Sequence, residues 1–351
     1  MTQLRSRNKE NDVKRLVWVL LMFLAVVIVG CGGGDSSSPR SIEVAFSEAP
    51  YPTEKFLRIG YTLKTWEFEK ENLELQKIIV LDGDTHEELF VIEKENLPVI
   101  YKDPLPPAEF FVWPTLTSYY LSIQLPIPLG VNPPENVFHK FVFKNGVSQV
   151  ETTVEGGFFS PRINESPVVI SSPVKGKNLV FENQSTMGYH FYVLIPRDND
   201  MFYPERYAFD TTEMNDELTA IYEGDPKVNE SYFNYGSTLY AVADGVVVQI
   251  QDGLPENHGD AEDVTFNSLL ENAGNFLVLD IGGGRYACYC HCIPGSFLVA
   301  EGDSIKEGDP IARLGNSGNS TAPHLHFQIS DGPDILSSKG IPIVLKEYSM
   351  R

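Results

Sequence analysis

The chain has 351 residues, with 28 glycines, 24 prolines and a formal net charge of −21. Its hydrophobic fraction of 42% is enough for packed cores, and its length allows two or three domains. The acidic balance excludes a protein that binds the nucleic-acid backbone, because such a protein needs a basic surface. Four cysteines are too few for a disulfide scaffold.

Residues 1–30 have the pattern of an export signal. Lys14 and Arg15 precede fifteen uncharged residues, fewer than the about 20 that span a membrane comfortably. The segment ends in an Ile-Val-Gly-Cys sequence at Cys31, which resembles the lipobox of bacterial lipoproteins. The resemblance implies that Cys31 is lipidated, that residues 31–40 form a flexible tether, and that the protein is anchored in the cell envelope, facing the periplasm or wall. An uncleaved signal anchor is the alternative.

The region 41–180 is predicted to be a β-sandwich of immunoglobulin-like type that acts as a spacer or binding domain. Its apolar runs are short, rich in β-branched and aromatic residues, and separated by turn sequences such as Asn145-Gly146. The runs that predict strands are 77–81, 90–92, 119–125 and 141–143.

The region 181–351 is predicted to be a second β domain, so that the whole chain is all-β. Residues 235–250 predict two strands around an Asp-Gly turn. A second hairpin is predicted from 276–280 and 285–292, which flank three consecutive glycines.

Histidines provide the candidate chemistry of this second domain. In His324-Leu325-His326, residues i and i+2 of a strand point to one face, so the two imidazoles lie side by side. Paired imidazoles suit zinc, although a polar strand face would also explain them. The same alternation places His291 with Tyr289, and Cys288, Cys290 and Cys292 on the opposite face. Asp210 adds a carboxylate of the kind that zinc accepts.

The order Asp210, Tyr289-x-His291, Gly315-Asn-Ser-Gly and His324-x-His326 resembles the lysostaphin-type zinc endopeptidases of family M23 over about residues 190–345. The resemblance implies a small antiparallel sheet with one Zn²⁺ in a groove. It also implies that the substrate is the peptide part of bacterial peptidoglycan.

The resemblance assigns roles residue by residue. Asp210 and His326 would be zinc ligands, and His291 and His324 would position or deprotonate the water and stabilise the oxyanion. Arg206 stands where the family has its first ligand histidine, and a guanidinium has no acceptor lone pair for a metal. Either His190 replaces that ligand, or Asp210 and His326 bind zinc weakly, or Arg206 pairs with Asp210 in the metal's place.

Two functions therefore stay open at this point. The first is a zinc endopeptidase that cuts peptidoglycan cross-links. The second is a degenerate member that binds the wall or activates a hydrolase without cutting. The three cysteines 288, 290 and 292 predict apolar packing behind the sheet, with capture of a soft metal as the alternative.

Overall fold

The fold is all-β, as predicted. The computed structural model describes residues 40–97, 118–182, 189–197, 200–261, 264 and 268–346. Within these residues no helix is long and apolar enough to cross a membrane. The helical segments of the described chain are single 3-10 turns, at Phe68–Glu71, Lys94–Asn96, Tyr189–Tyr192, Asn229–Ser231 and Leu270–Ala273.

Two four-stranded antiparallel sheets form the N-terminal part. In the first sheet, β3 pairs with all three other strands, β1, β2 and β6. The second sheet has the strand order β5-β4-β7-β8. The strands are β1 (Ile42–Ser47), β2 (Tyr51–Pro52), β3 (Phe56–Trp66), β4 (Leu73–Asp82), β5 (Glu88–Glu93), β6 (Ser118–Pro128), β7 (Val137–Asn145) and β8 (Glu151–Phe159).

The two sheets share one hydrophobic core, so the predicted sandwich packing is present. The core joins Tyr61 and Leu63 of the first sheet to Val80, Phe141 and Phe143 of the second. Alternate residues of β7 are buried, as expected for a strand with one face on a core. The four predicted strand segments all lie inside β4, β5, β6 and β7. The immunoglobulin-like type of the sandwich stays a prediction.

A seven-stranded antiparallel sheet dominates the C-terminal part, with the order β10-β13-β20-β17-β16-β15-β18. Two-stranded sheets flank it: β11 with β12, β14 with β19, and β9 with β21, the last pair parallel. The strands are β9 (Val168–Ile170), β10 (Leu179–Glu182), β11 (Ile195–Arg197), β12 (Asp200–Phe202), β13 (Phe209–Glu213), β14 (Thr238–Tyr240), β15 (Gly245–Gln251), β16 (Asn275–Asp280), β17 (Tyr286–Cys292), β18 (Ser304–Ile305), β19 (Pro310–Arg313), β20 (Leu325–Ser330) and β21 (Ile343–Leu345).

One predicted hairpin is confirmed and the other is wrong. Strands β16 and β17 pair across the glycine turn, with Val278 opposite Cys288. Strands β14 and β15 form on either side of Asp244-Gly245, but β14 pairs with β19 while β15 pairs with β16 and β18. Residues 241–244 separate the two strands, and Gly308 donates its N–H to the carbonyl of Ala241 there. The sequence therefore predicted the two strands on either side of Asp244-Gly245 but not their partners.

Opposite faces of the seven-stranded sheet have different surroundings. Tyr289, Leu325 and Phe327 point into the main core of this region, together with Val168 and Ile170 of β9. Asp210, His326 and Gln328 alternate with these apolar residues and so lie on the other face. The domain boundary predicted near residue 180 stays a prediction, although β9 and β10 pair with strands of the C-terminal part.

Candidate metal centre

Three neighbouring strands bring the predicted carboxylate and histidines together. Asp210 of β13 lies directly opposite His326 of β20, because Phe209 pairs with Phe327 in the same antiparallel register. The apolar partners face the core, so the polar pair necessarily faces the other way. Sequence alternation therefore predicts the orientation of both residues, and the register supplies their contact.

His190 reaches this pair from the 3-10 turn Tyr189–Tyr192. Its Nε2 lies 3.0 Å from Oδ2 of Asp210, and its ring packs edge-on against the His326 ring, with centroids 4.6 Å apart. His326 places Nδ1 3.1 Å from Oδ1 of the same carboxylate. One ligand-type atom from each of the three residues lies within 4.8 Å of the other two. Histidine and aspartate donors in this arrangement could hold a metal ion such as zinc.

Two further residues orient these imidazoles, and neither was among the site residues predicted from the sequence. Nδ1 of His190 lies 3.2 Å from a carboxylate oxygen of Glu205, and Nε2 of His326 lies 3.0 Å from the amide oxygen of Gln328. Such hydrogen bonds on the distal nitrogen fix the ring of a metal-ligating histidine. Strand alternation could have indicated Gln328, two residues after His326. Glu205 precedes the strand, and nothing in its spacing marks it.

The charges of these groups are strongly coupled. Burial opposes protonation of His190, but the Asp210 charge and the hydrogen bonds with Asp210 and Glu205 outweigh it and raise its pKa to about 10. His326 behaves alike, and its pKa rises to about 9. Burial would raise the pKa of Asp210, but the charges of His190 and His324 and two histidine hydrogen bonds hold it well below its usual range. The facing nitrogens thus carry protons that a bound cation would displace.

His291 joins the site through a β-bulge. Its φ of 63° and a register shift between β16 and β17 interrupt the strand alternation just before the end of β17. The ring of His291 then lies 4.7 Å from that of His324 and 5.9 Å from that of His326, centroid to centroid. Nδ1 donates to the carbonyl oxygen of Ser317 at 2.7 Å, which leaves Nε2 as the nitrogen able to accept a proton.

His324 lies just before β20, at the edge of the same cluster. Its Nδ1 donates to the carbonyl oxygen of Ala322 at 2.9 Å, and its Nε2 lies 3.6 Å from Oδ1 of Asp210. Burial lowers the pKa of both His291 and His324, and neighbouring histidines add to this effect. The cluster therefore combines two histidines that favour the cationic form with two that favour the neutral form.

The structure separates Arg206 from Asp210. The Arg206 side chain is 0% exposed and forms its ion pair with Glu48 of the N-terminal part, Nη1 to Oε1 at 2.7 Å. The hypothesis that Arg206 occupies the metal's place on Asp210 is therefore wrong. The guanidinium points away from the carboxylate that the sequence suggested as its partner.

The predicted placement of the cysteines is also wrong. Because of the bulge at His291, Cys292 points into the main core beside Tyr289, whereas Cys288 and Cys290 lie on the face that carries His326 and Gln328. Apolar packing of Cys288 and Cys290 is confirmed, since both contact a small cluster with Phe276, Val278 and Ile335. The thiols of these two residues lie 3.5 Å apart and are free.

The predicted export signal at 1–30 and the lipidated Cys31 lie outside the described residues. Of the predicted site residues, the structure brings together His190, Asp210, His291, His324 and His326.

Comparison with known proteins finds similarity to peptidases over part of the chain. Residues 231–337 match the family model described as Peptidase family M23, a segment that includes His291, His324 and His326 but not Asp210 or His190. Over 94 residues the chain is 31% identical to the peptidoglycan DD-endopeptidase ShyA of Vibrio cholerae serotype O1. These residues cover 27% of this chain and 17% of that protein.

A second relative is the glycyl-glycine endopeptidase ALE-1 of Staphylococcus capitis, 34% identical over 97 residues that cover 28% of this chain and 22% of the relative. The chain thus spans about a fifth of the length of these two relatives. Among solved structures, the catalytic domain of lysostaphin from Staphylococcus simulans is 23% identical, with a TM-score of 0.25, covering 41% of this chain and 77% of the other.

Proposed function

We propose that the protein is a zinc-dependent endopeptidase that hydrolyses peptide cross-links of bacterial peptidoglycan, and the match of residues 231–337 to the family model described as Peptidase family M23 supports this proposal. The observation that carries the proposal is the cluster of His190, Asp210 and His326, in which His190 replaces the ligand missing at Arg206. One Zn²⁺ would bind to these three side chains in each chain.

The residues present fit zinc in chemistry as well as number. Two imidazole nitrogens and one carboxylate are the donor set of many catalytic zinc sites, which keep a further position open for water or substrate. Glu205 and Gln328 hold the distal nitrogens of the two histidines, so the ligand atoms already face one another. When bound, zinc would polarise the scissile carbonyl and lower the pKa of a water molecule to about 7.

His291 and His324 are the proposed catalytic residues. Their lowered pKa values keep both imidazoles neutral near pH 7, so that each can accept a proton or hydrogen-bond the reacting groups. The backbone carbonyls of Ser317 and Ala322 fix the Nδ1–H of each ring, which leaves the two Nε2 atoms for this work. We assign to one Nε2 the removal of a proton from the attacking water, and to the other the stabilisation of the oxyanion.

The names of two relatives support the proposed substrate, and the sequence pattern at Cys31 supports the proposed location. The names of two similar proteins describe endopeptidases, one acting on peptidoglycan and one on glycyl-glycine bonds. Lipid anchoring at Cys31 would place the folded part next to the wall, with residues 31–40 as a tether. The acidic segment 211–234 would form one wall of the groove.

A degenerate, wall-binding protein is the competing function, and the substitution at Arg206 is the observation that favours it. That function predicts a cluster of histidines that binds peptidoglycan without zinc and without cleavage.

Zinc content and hydrolysis decide between the two functions. We would measure zinc per chain by elemental analysis, and release of new termini from purified peptidoglycan, for wild type, His190→Ala and His139→Gln. His139 is a buried histidine of the sandwich that hydrogen-bonds the carbonyl of Gly157 and the hydroxyl of Tyr61, so His139→Gln controls for loss of a histidine. One zinc and hydrolysis in wild type and in His139→Gln, both lost in His190→Ala, would support the enzyme. Wall binding with neither zinc nor cleavage in wild type would establish the alternative.

A further inference from the structure

The buried guanidinium of Arg206 connects the N-terminal sandwich to the candidate metal centre. Its Nη1 binds Glu48, and its Nη2 donates to Thr62 Oγ1 at 2.7 Å and to Ser122 Oγ at 2.9 Å. These three partners belong to the sandwich, and Thr62 and Ser122 lie on the face of its first sheet that is turned away from Tyr61 and the sandwich core. Thr62 and Ser122 also hydrogen-bond each other across β3 and β6 at 2.9 Å.

Aromatic rings enclose the same guanidinium. Its central carbon lies 4.9 Å from the ring centroid of Phe46, 4.5 Å from that of Tyr203 and 4.8 Å from that of Phe191. Phe46 comes from the sandwich, whereas Phe191 is the residue that follows His190. Arg206 therefore contacts the 3-10 turn that presents the proposed replacement ligand.

Phe191 is also held by close packing against the sandwich. It belongs to a buried cluster with Tyr51 and Tyr207. At Gly60 of β3, an added Cβ would lie 2.3 Å from the Tyr207 hydroxyl and 3.3 Å from the Phe191 ring. Only a glycine at position 60 therefore leaves room for the Tyr207 hydroxyl, and the Phe191 ring of the turn packs closely against the same point of the sandwich backbone.

The residue before Arg206 in the sequence also contacts His190. Glu205, which hydrogen-bonds Nδ1 of His190, directly precedes Arg206. Arg206 is therefore linked to His190 in two ways. Its backbone continues from Glu205, which orients His190, and its side chain contacts Phe191, the residue after His190.

We propose that Arg206 is a positioning residue, and that it makes the N-terminal sandwich a structural part of the metal centre. The guanidinium, anchored on Glu48, Thr62 and Ser122, fixes Phe191 and hence the approach of His190 to Asp210. At position 206, where the resemblance places a ligand histidine, this chain has an arginine that links its two parts. The ligand is supplied by His190 instead. This inference rests on the proposed zinc site.

The test compares zinc affinity and cobalt spectra in the full chain. We would measure Zn²⁺ affinity by competition with a chromogenic chelator, and the visible absorption of the Co²⁺ form, for wild type, Arg206→Met and Thr62→Val. Thr62→Val keeps the shape of the side chain but removes an acceptor of Arg206. The matched control is Tyr61→Phe, which alters the adjacent residue on the opposite face of β3 and removes a partner of His139.

A positioning role predicts that both anchor variants lose about 10–100-fold in zinc affinity, as is typical when a residue that supports a metal ligand is replaced. It also predicts that their Co²⁺ spectra shift towards that of His190→Ala. Tyr61→Phe should retain wild-type affinity and spectrum, even where its thermal unfolding temperature falls as far as that of Thr62→Val. Should Arg206→Met fail to fold because Glu48 is left buried and unpaired, Glu48→Met/Arg206→Met removes both charges and takes its place.

Two results would overturn the inference while leaving the zinc site intact. One is wild-type affinity and an unchanged Co²⁺ spectrum in Thr62→Val and in a folded variant without Arg206. The other is recovery of zinc binding by His190→Ala/Arg206→His, since that would show residue 206 still able to reach the metal. Absence of zinc binding in wild type would overturn the inference and the proposed function together.

Discussion

Both parts of the molecule bury histidines, but the pKa of His139 in the sandwich and the pKa values of His190 and His326 in the C-terminal part are shifted in opposite directions. His139 of the sandwich is fully buried between the carbonyl oxygen of Gly157 and the hydroxyl of Tyr61, and burial lowers its pKa to about 4. His190 and His326 are buried as deeply, yet the charge and hydrogen bonds of Asp210 raise their pKa values to about 10 and 9. Burial alone therefore does not make a site.

The two groups of histidines differ in whether their surroundings contain a charge that a metal ion could replace. The two contacts of His139 satisfy a neutral imidazole completely and leave no charge to be replaced. Around Asp210, the protons on the facing nitrogens compensate a buried carboxylate, and a divalent cation can take their place. The first arrangement is a stable polar contact in a core, and the second is the candidate metal centre.

The largest expected effect distinguishes the two kinds of histidine within the site. His291→Ala or His324→Ala should reduce the rate of peptidoglycan hydrolysis by about 10²–10⁴-fold, because each removes a proposed acid–base group. Zinc content should stay at the wild-type level, since neither residue is among the three proposed ligands. The measurement is hydrolysis rate against zinc per chain; loss of zinc in either variant would make that residue a ligand and contradict the assignment.

The distal hydrogen bonds give the next effect. Gln328→Leu removes the acceptor of His326 Nε2 without touching Asp210, and should weaken zinc binding by about 10–100-fold. Chelator competition measures the change. As a control, Gln249→Leu alters an amide in β15 of the same sheet, distant from the histidines in sequence and strand order. Equal affinity in Gln328→Leu and Gln249→Leu would show that the amide does not support the metal centre.

Much of this site was predictable from strand alternation and little of it from spacing alone. His324-Leu325-His326 indicated its own geometry, because a period of two separates the apolar core residues from the imidazoles. His291 belongs to the site, as predicted, but not through regular alternation. Alternation would place His291 on the same face as Tyr289, which points into the core, and only the bulge turns its ring towards His324. A bulge adds one residue to one strand, and the sequence carried no signal for it.

Long-range contacts were beyond prediction. His190 emerged as a candidate only because Arg206 cannot bind a metal, and its contact with Asp210 depends on a turn packed by residues of the sandwich. The partner of Arg206, Glu48, is 158 residues away along the chain. Pairings at this separation depend on how whole sheets pack, which neither local propensity nor charge pattern determines.

The pH dependence of stability should reveal the site histidines in the metal-free protein. Their pKa values are raised above the unfolded value of about 6.5, so the folded state binds more protons, and the stability they contribute is complete below pH 6.5. It should be lost as the pH rises through 9 to 10. We expect the urea midpoint of the metal-free protein to fall over this window, and that of the zinc-loaded protein to change less. Equal alkaline loss in both forms would contradict the coupling to Asp210.

The last effect concerns His139 and has the opposite sign. Its pKa is lowered to about 4, so the folded state resists protonation, and stability is complete above the unfolded value of about 6.5. Between pH 6.5 and 4 wild type should lose about 2–3 kcal/mol that His139→Gln does not, because a glutamine amide can still donate to Gly157 and accept from Tyr61 but does not titrate. Urea unfolding of both proteins across this range measures the difference. Parallel acid profiles would show that His139 tolerates its charge when buried, and would remove the contrast with the histidines that Asp210 holds in the cationic form.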